Sequence, residues 1–202
     1  MIRSLVASVT RLITGVGRLP CAPCGGGPAI YFANHTSHLD FAVVWAALPN
    51  EARENLSPAA AEDYWGKSAF RLKVACGLFQ AVLIPREGIT RENNPIDRLA
   101  EVLKAGRSVL IFPEGTRRGD GTVGEFKAGI HHLARRFPDL PLVPVHLENL
   151  SRVLPKGSFL PVPIIARACF REPIHFDTGE AKVAFLARAR LALLGGVEES
   201  VR

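Results

Sequence analysis

Residues 31–40 read YFANHTSHLD, and the rest of the chain is best read outward from them. Tyr31, Phe32 and Ala33 continue an apolar, strand-like run that begins near Ala29. With no spacer the run breaks into Asn34, His35, Thr36, Ser37, His38, Leu39 and Asp40, and helical spacing then holds over 39–47. Two imidazoles, two hydroxyls and a carboxylate therefore crowd the point where a strand hands over to a helix.

The same alternation recurs downstream. The patterning predicts a helix near 68–76, a strand near 81–84, a helix over 96–105 that stops at Gly106, and a short β-branched strand, SVLIF, over 108–112. A helix over 130–136 and strands in LVPVHL (142–147) and IIARACF (164–170) follow. The last element, 181–194, is an amphipathic helix closed by Gly195 and Gly196. Strands alternating with helices imply a largely parallel sheet. The expected fold class is α/β: a single domain, its mostly parallel sheet covered by helices on both sides, with an N-terminal amphipathic helix. A length of 202 residues suits one such domain with a sizeable core. Ligands of these sheets gather beyond the carboxyl ends of strands, which is where NHTSHLD sits.

The net charge is +6, with a pI near 9.5 and a slightly positive mean hydropathy. That combination fits a soluble domain resting on an anionic surface. Nucleic acid is disfavoured as a partner, because the basic residues are scattered and not interleaved with aromatic stacking groups. Of four cysteines only Cys21 and Cys24 are close in sequence, with Cys76 and Cys169 apart. A zinc ribbon needs a second close pair, so a reducing, cytoplasmic setting is the simplest expectation.

Near the N-terminus, Ile2, Leu5, Val6, Val9, Leu12, Ile13 and Val16 fall on one helical face, while Arg3, Ser4, Ser8 and Arg11 take the other. The segment is shorter than the roughly 18 apolar residues of a spanning helix. Residues 1–20 are expected to form an interfacial helix, or equally a helix that docks its apolar stripe on the domain's own core. The glycine-rich CAPCGGGP then separates it from the body, residues 21–202.

Within the opening stretch, Ser37 suits a helix N-cap and Asp40 the first turn. His35 precedes the cap. In a regular helix His35 and Asp40 would sit roughly 140° apart, whereas across a strand-to-helix turn His35 can fold back onto Asp40. An ionised Asp40, favoured by the helix N-terminus, would fix one ring nitrogen of His35 and leave the other as a base. Ser37, with its oxygen committed to backbone amides, is a poor nucleophile, which favours one supplied by the substrate. A metal site built from His35, His38 and Asp40 with His131 or His132 has irregular spacing and lacks an accompanying glutamate base, so no metal is expected.

A second strand end, SVLIFPEGTRRGDG (108–121), opens into Glu114, Gly115, Thr116, Arg117 and Arg118. Gly115 permits a sharp turn, Thr116 offers a hydroxyl, and Arg117 presents a planar fork that matches phosphate. A charged surface turn that pairs Glu114 with Arg117 is the bland alternative.

NHTSHLD, GLFQAVLIPR, FPEGTR and LPLVPV follow in that order, and in this the chain resembles the glycerolipid acyltransferases of the lysophosphatidic acid acyltransferase type. The matching positions are Asn34 to Asp40, Gly77 to Arg86, Phe112 to Arg117 and Val143 to Val145, with FKAGIHHLA (126–134) similar to the helix after the third block. The resemblance covers about residues 28–175 and makes 21–202 an acyltransferase domain. It implies transfer of a fatty acyl group from an acyl thioester, acyl-CoA or acyl-ACP (acyl carrier protein), to the hydroxyl of a lysophospholipid, most simply 1-acylglycerol-3-phosphate, with no cofactor. His35 would be the general base and Asp40 its orienter. Asn34, Ser37, Arg86, Glu114, Gly115, Thr116 and Arg117 would bind substrate, the arginines on its phosphate, and nearby amides could hold the oxyanion. Arg118 stands where a serine is common, and Pro85 where an acidic or small polar residue is common, which bears on the head group. The implied setting is a cytoplasmic enzyme bound peripherally to the anionic inner face of the membrane. A thioester hydrolase using the same dyad, and a non-catalytic lipid-binding module, are the other classes consistent with these residues.

Overall fold

The computed structural model describes residues 2–19, 26–37, 39–117, 122–150 and 165–195. Cys21, Cys24, His38, Arg118, Ile164 and Gly196 lie outside the described residues. Strand β1 (Ile30–Ala33) runs through the middle of the sheet, between β4 (Ser108–Ile111) and β5 (Leu142–Glu148). β2 (Leu56–Ala61) lies beyond β4, and β3 (Val82–Ile84) forms that edge. β6 (Arg167–Phe170) closes the other edge and is antiparallel to β5, whereas the remaining pairs are parallel. The order is β3-β2-β4-β1-β5-β6.

Alternation along β1 creates the two layers, because successive side chains leave a strand on opposite faces. Ile30 and Phe32 join a cluster with Leu99 and Leu103 of α6 (Pro95–Lys104), Ile130 and Leu133 of α7 (Gly129–Arg136), and Phe185 and Leu193 of α8 (Lys182–Leu194). Tyr31 and Ala33 face the other way, onto Val43, Val44 and Trp45 of α2 (Asp40–Ala47) and Ala7 of α1 (Ile2–Thr14). Both faces are covered, so β1 and β4 are buried at every position and read as unbroken apolar runs. The expected single α/β domain is the observed one. Gly195 closes α8 at φ 77°, the left-handed position expected of it.

Several elements depart from the sequence pattern. A short α3 (Asn50–Glu54) and the whole of β2 carry no strand or helix signal, since LSPAAA is poor in β-formers. Burial, not propensity, makes β2. Its first half pairs with β4 and its second with β3, and Pro58, with no N–H to donate, sits where the strand changes partner. After the short α4 (Glu62–Trp65), the expected 68–76 helix is two pieces, α5 (Ala69–Leu72) and a π-helical turn over Lys73–Leu78.

Helix α1 meets the body against α2, though not as a docked apolar stripe. Ile2, Leu5, Val9, Leu12 and Ile13 all point outward, with Leu12 84% exposed, while fully buried Ala7 and Thr14 form the contact with Val6 beside them. Arg11 donates to the carbonyl of Ala46 at 2.9 Å. Small and polar residues hold the helix down, and the apolar face is left free.

Candidate active site

The polar turn after β1 is held from three sides. Asn34, buried, accepts from the Leu147 N–H at 2.7 Å and donates to the Leu147 carbonyl at 3.0 Å, which clips the departing chain to β5. Asp40 is the first residue of α2 and is buried. Its Oδ2 lies 2.7 Å from His35 Nδ1 and accepts from the Thr36 N–H at 2.6 Å. The Ser37 N–H reaches both oxygens at 2.9 Å, and the Thr36 hydroxyl reaches Oδ1 at 3.3 Å. A carboxylate so surrounded can only accept, so the proton between it and His35 belongs to Nδ1. Nε2 is left with its lone pair.

The imidazole stacks on Phe112, with ring centroids 4.4 Å apart and planes 21° from parallel. The His35 side chain keeps 24% exposure against 1% for Asp40, so the dyad has one sealed end and one open end. Ser37 does not cap the helix. α2 starts after Leu39, and the Ser37 hydroxyl instead accepts from the Leu39 N–H at 3.3 Å inside the turn. Its oxygen is occupied, as the sequence suggested.

Glu114 is 5% exposed. Oε1 accepts from the His35 N–H at 2.8 Å and Oε2 from the Gly124 N–H at 2.9 Å, so it ties the FPEGTR loop to the His35 turn. Gly115 has φ +72°, the left-handed region that favours glycine, and the flexible end of the Lys127 side chain lies against it. Thr116 and Arg117 are exposed beyond it.

A cleft open to solvent joins His35, Phe112, Arg86 and Arg117. Its remaining wall is apolar: Phe41, Pro58, Ala59, Ala60, Ala61, Tyr64, Trp65, Ala75 and Ala81. Of the residues singled out from sequence, His35, Arg86 and Arg117 line this cleft together with Asp40 behind them. Asn34, Ser37 and Glu114 form its frame, and Gly115 and Thr116 lead into Arg117 without lining it. His131 packs among His132, Phe176 and Phe185 instead of approaching His35. The amides of His35, Thr36, Ser37 and Gly115 already donate to Glu114, Asp40, Asp40 and the Phe112 carbonyl, so none is an oxyanion donor as it stands. Sequence reasoning missed Phe112 as a support for the imidazole, the alanines of β2 as cleft wall, and Asp63, whose Oδ1 lies 3.2 Å from Arg86 Nε. None has a local signal, because each becomes relevant only through strand order.

The profile of the Acyltransferase family matches residues 12–148. The chain is 30% identical over 149 residues to the chloroplastic 1-acyl-sn-glycerol-3-phosphate acyltransferase BAT2 of Brassica napus, covering 72% of this chain and 40% of that protein. It is 33% identical over 126 residues to 1-acyl-sn-glycerol-3-phosphate acyltransferase alpha of Homo sapiens, covering 60% and 41%. This chain thus spans about two-fifths of the length of these relatives. In fold it is similar to the crystal structure of the 1-acyl-sn-glycerophosphate (LPA) acyltransferase PlsC from Thermotoga maritima, with a TM-score of 0.73 at 19% identity over 96% of this chain and 79% of that one.

Proposed function

Since the chain belongs to the acyltransferase family, we propose that it moves a fatty acyl group from an acyl thioester, acyl-CoA or acyl-ACP, to the free hydroxyl of a lysophospholipid. The acceptor named by its relatives, 1-acylglycerol-3-phosphate, would give phosphatidic acid. One observation carries this reading: a His35–Asp40 pair, sealed at the carboxylate, opens at Nε2 into a cleft with two arginines at hand and an apolar wall. A phosphate-bearing acceptor needs the arginines, an acyl chain needs the wall, and a hydroxyl needs the base.

In the proposed reaction Nε2 of His35 takes the hydroxyl proton as the acceptor oxygen bonds to the thioester carbonyl carbon. The carbon–sulfur bond then breaks, and the proton passes from His35 to the departing thiolate, leaving thiol and ester. Asp40 stabilises the transient imidazolium and keeps the ring in one tautomer. No cofactor enters this scheme, and no acyl-enzyme is needed because thiolate leaves readily.

The membrane reading rests on α1. Among the described residues no helix is long and apolar enough to cross a bilayer. α1 instead presents five large apolar side chains to the outside, and burying each is worth roughly 1.5–3 kcal/mol. That is the face of a helix lying in the membrane interface, where acceptor and product both reside.

The test is thiol release from acyl-CoA and acyl-ACP with a panel of lysolipid acceptors and a no-acceptor control. Acceptor-dependent release that falls about 10²–10⁴-fold in His35→Ala is expected. Release without acceptor would make the protein a hydrolase, and undiminished release in the variant would remove His35 from the chemistry.

A further inference from the structure

Away from the cleft, the seam between α1 and the corner where α2 passes into α3 holds two arginines that form no ion pair among the described residues, with Glu54 the one opposing charge that acts on both. Arg53 of α3 is 2% exposed. Its Nη2 donates to Asn50 Oδ1 at 2.6 Å, but Nε and Nη1 are buried without an acceptor. Across the seam, Nε and Nη2 of Arg3 on α1 are likewise buried and unmatched, as is the indole N–H of Trp45. The two guanidinium carbons lie 5.0 Å (Arg53) and 5.8 Å (Arg3) from the Trp45 ring centroid, so five orphan donor nitrogens share one neighbourhood. Stacking on the indole recovers only part of what desolvating two cations costs.

The surroundings deepen the deficit. Arg11 gives its donors to the Ala46 carbonyl and the Ser8 hydroxyl, both uncharged. Burial first, then Arg11 and Arg18, push the Arg53 guanidinium below its usual pKa, while Glu54 acts the other way without forming an ion pair among the described residues. Proteins avoid buried cations that lack a partner, and forked guanidinium donors match the several acceptor oxygens of a phosphate.

We propose that Arg3, Arg53 and Trp45 form a second phosphate-binding site at the α1 seam, taking a phosphate oxyanion carried by a lipid head group or free in solution. None of the three lines the His35 cleft. Trp45 lies five residues beyond Asp40, roughly 7 Å along the α2 axis. The lipid form of the ligand rests on the interfacial reading of α1, whose exposed apolar face adjoins the seam. The phosphate chemistry does not.

The experiment compares the full chain with Arg53→Met and Arg3→Met, which keep the side-chain length and remove the charge. Melting is followed with inorganic phosphate against chloride at equal ionic strength. Flotation is followed with phosphatidylcholine vesicles with and without phosphatidic acid. The expected parent response is a rise of roughly 5–10 °C at phosphate a hundredfold above its dissociation constant. The vesicle arm should show roughly tenfold tighter binding when phosphatidic acid is present. Both effects should be lost in the variants, and a response to one probe alone identifies the source as lipid or free ion. The proposal is overturned if neither probe acts on the parent, or if both variants respond as the parent does. Should Arg53→Met fail to fold, the half-buried Arg3→Met decides the matter. Neither readout uses acyl transfer, so failure of the acyltransferase reading and failure of this site are seen separately.

Discussion

Replacing Asp40 by asparagine changes one atom at the sealed end of the dyad, and its consequences can be worked from the contacts. The carboxylate now accepts from His35 Nδ1, from the amides of Thr36 and Ser37, and from the Thr36 hydroxyl. An amide side chain keeps a single acceptor oxygen. Oδ2 meets His35 Nδ1 and both backbone amides, so the amide oxygen takes that place and the new NH₂ takes the Oδ1 place beside the Thr36 hydroxyl and the Ser37 N–H. Nδ1 keeps its proton, but an uncharged amide no longer stabilises the imidazolium that forms when His35 takes the substrate proton. The equivalent change in a Ser-His-Asp triad costs about 10⁴ in kcat, and general-base catalysis alone is worth about 10²–10⁴, so a fall of two to four powers of ten is expected. Loss of a charged acceptor for buried N–H groups should also cost roughly 1–3 kcal/mol of stability, or on the order of 5 °C in melting temperature. The assay is the initial rate of thiol release with saturating acceptor, at a temperature where circular dichroism shows both proteins folded. A folded Asp40→Asn protein with kcat within about threefold of the parent would refute the proposed role of the Asp40 charge in the dyad.

Arg117→Ala should raise the KM for a phosphate-bearing acceptor by roughly tenfold or more, the worth of a charge-assisted hydrogen bond, while the KM for the acyl donor stays put. Steady-state kinetics with each substrate varied would expose an equal effect on both, which would deny Arg117 to the acceptor. Leu5→Glu combined with Leu12→Glu alters only exposed positions on α1, so melting should hold while flotation with anionic vesicles weakens by at least about tenfold. Unchanged flotation would place the membrane contact elsewhere. His131 is held below the usual histidine pKa by burial, with His132, Arg135 and Lys182 adding to it and Glu180 opposing. In the window between that lowered value and 6.5, the unfolded chain binds the proton and the folded chain does not. The stability is therefore complete above about pH 6.5 and drains as pH falls below it. His131→Phe, beside Phe176 and Phe185, should flatten the fall in melting temperature between roughly pH 7 and 5, and parallel curves would count against it.

Sequence and structure contribute to the candidate site in different ways. His35 and Asp40 could be paired from their spacing, because five residues across a strand-to-helix turn leave few places for the imidazole to go. Their meeting with Arg86 and Arg117 could not, since it depends on β2 lying between β3 and β4. The LSPAAA segment announces no strand, and what makes it one is the burial offered by its neighbours. Glu114 looked like a pocket residue from its place in the FPEGTR block. Its two oxygens instead hold the backbone of the His35 turn and of Gly124, and that partnership spans stretches of chain that local patterning does not connect.

The sequence by itself determined the alternation of strands and helices, the crowding of polar residues at two strand ends, and the amphipathic character of α1, because each is written in local periodicity. Only the tertiary structure decided which way α1 faces, which motif residues line the cleft and which brace it, and that Arg3 and Arg53 meet over Trp45 with buried donors left unpaired. Periodicity records which side chains share a face; what that face meets is settled by the packing of distant segments.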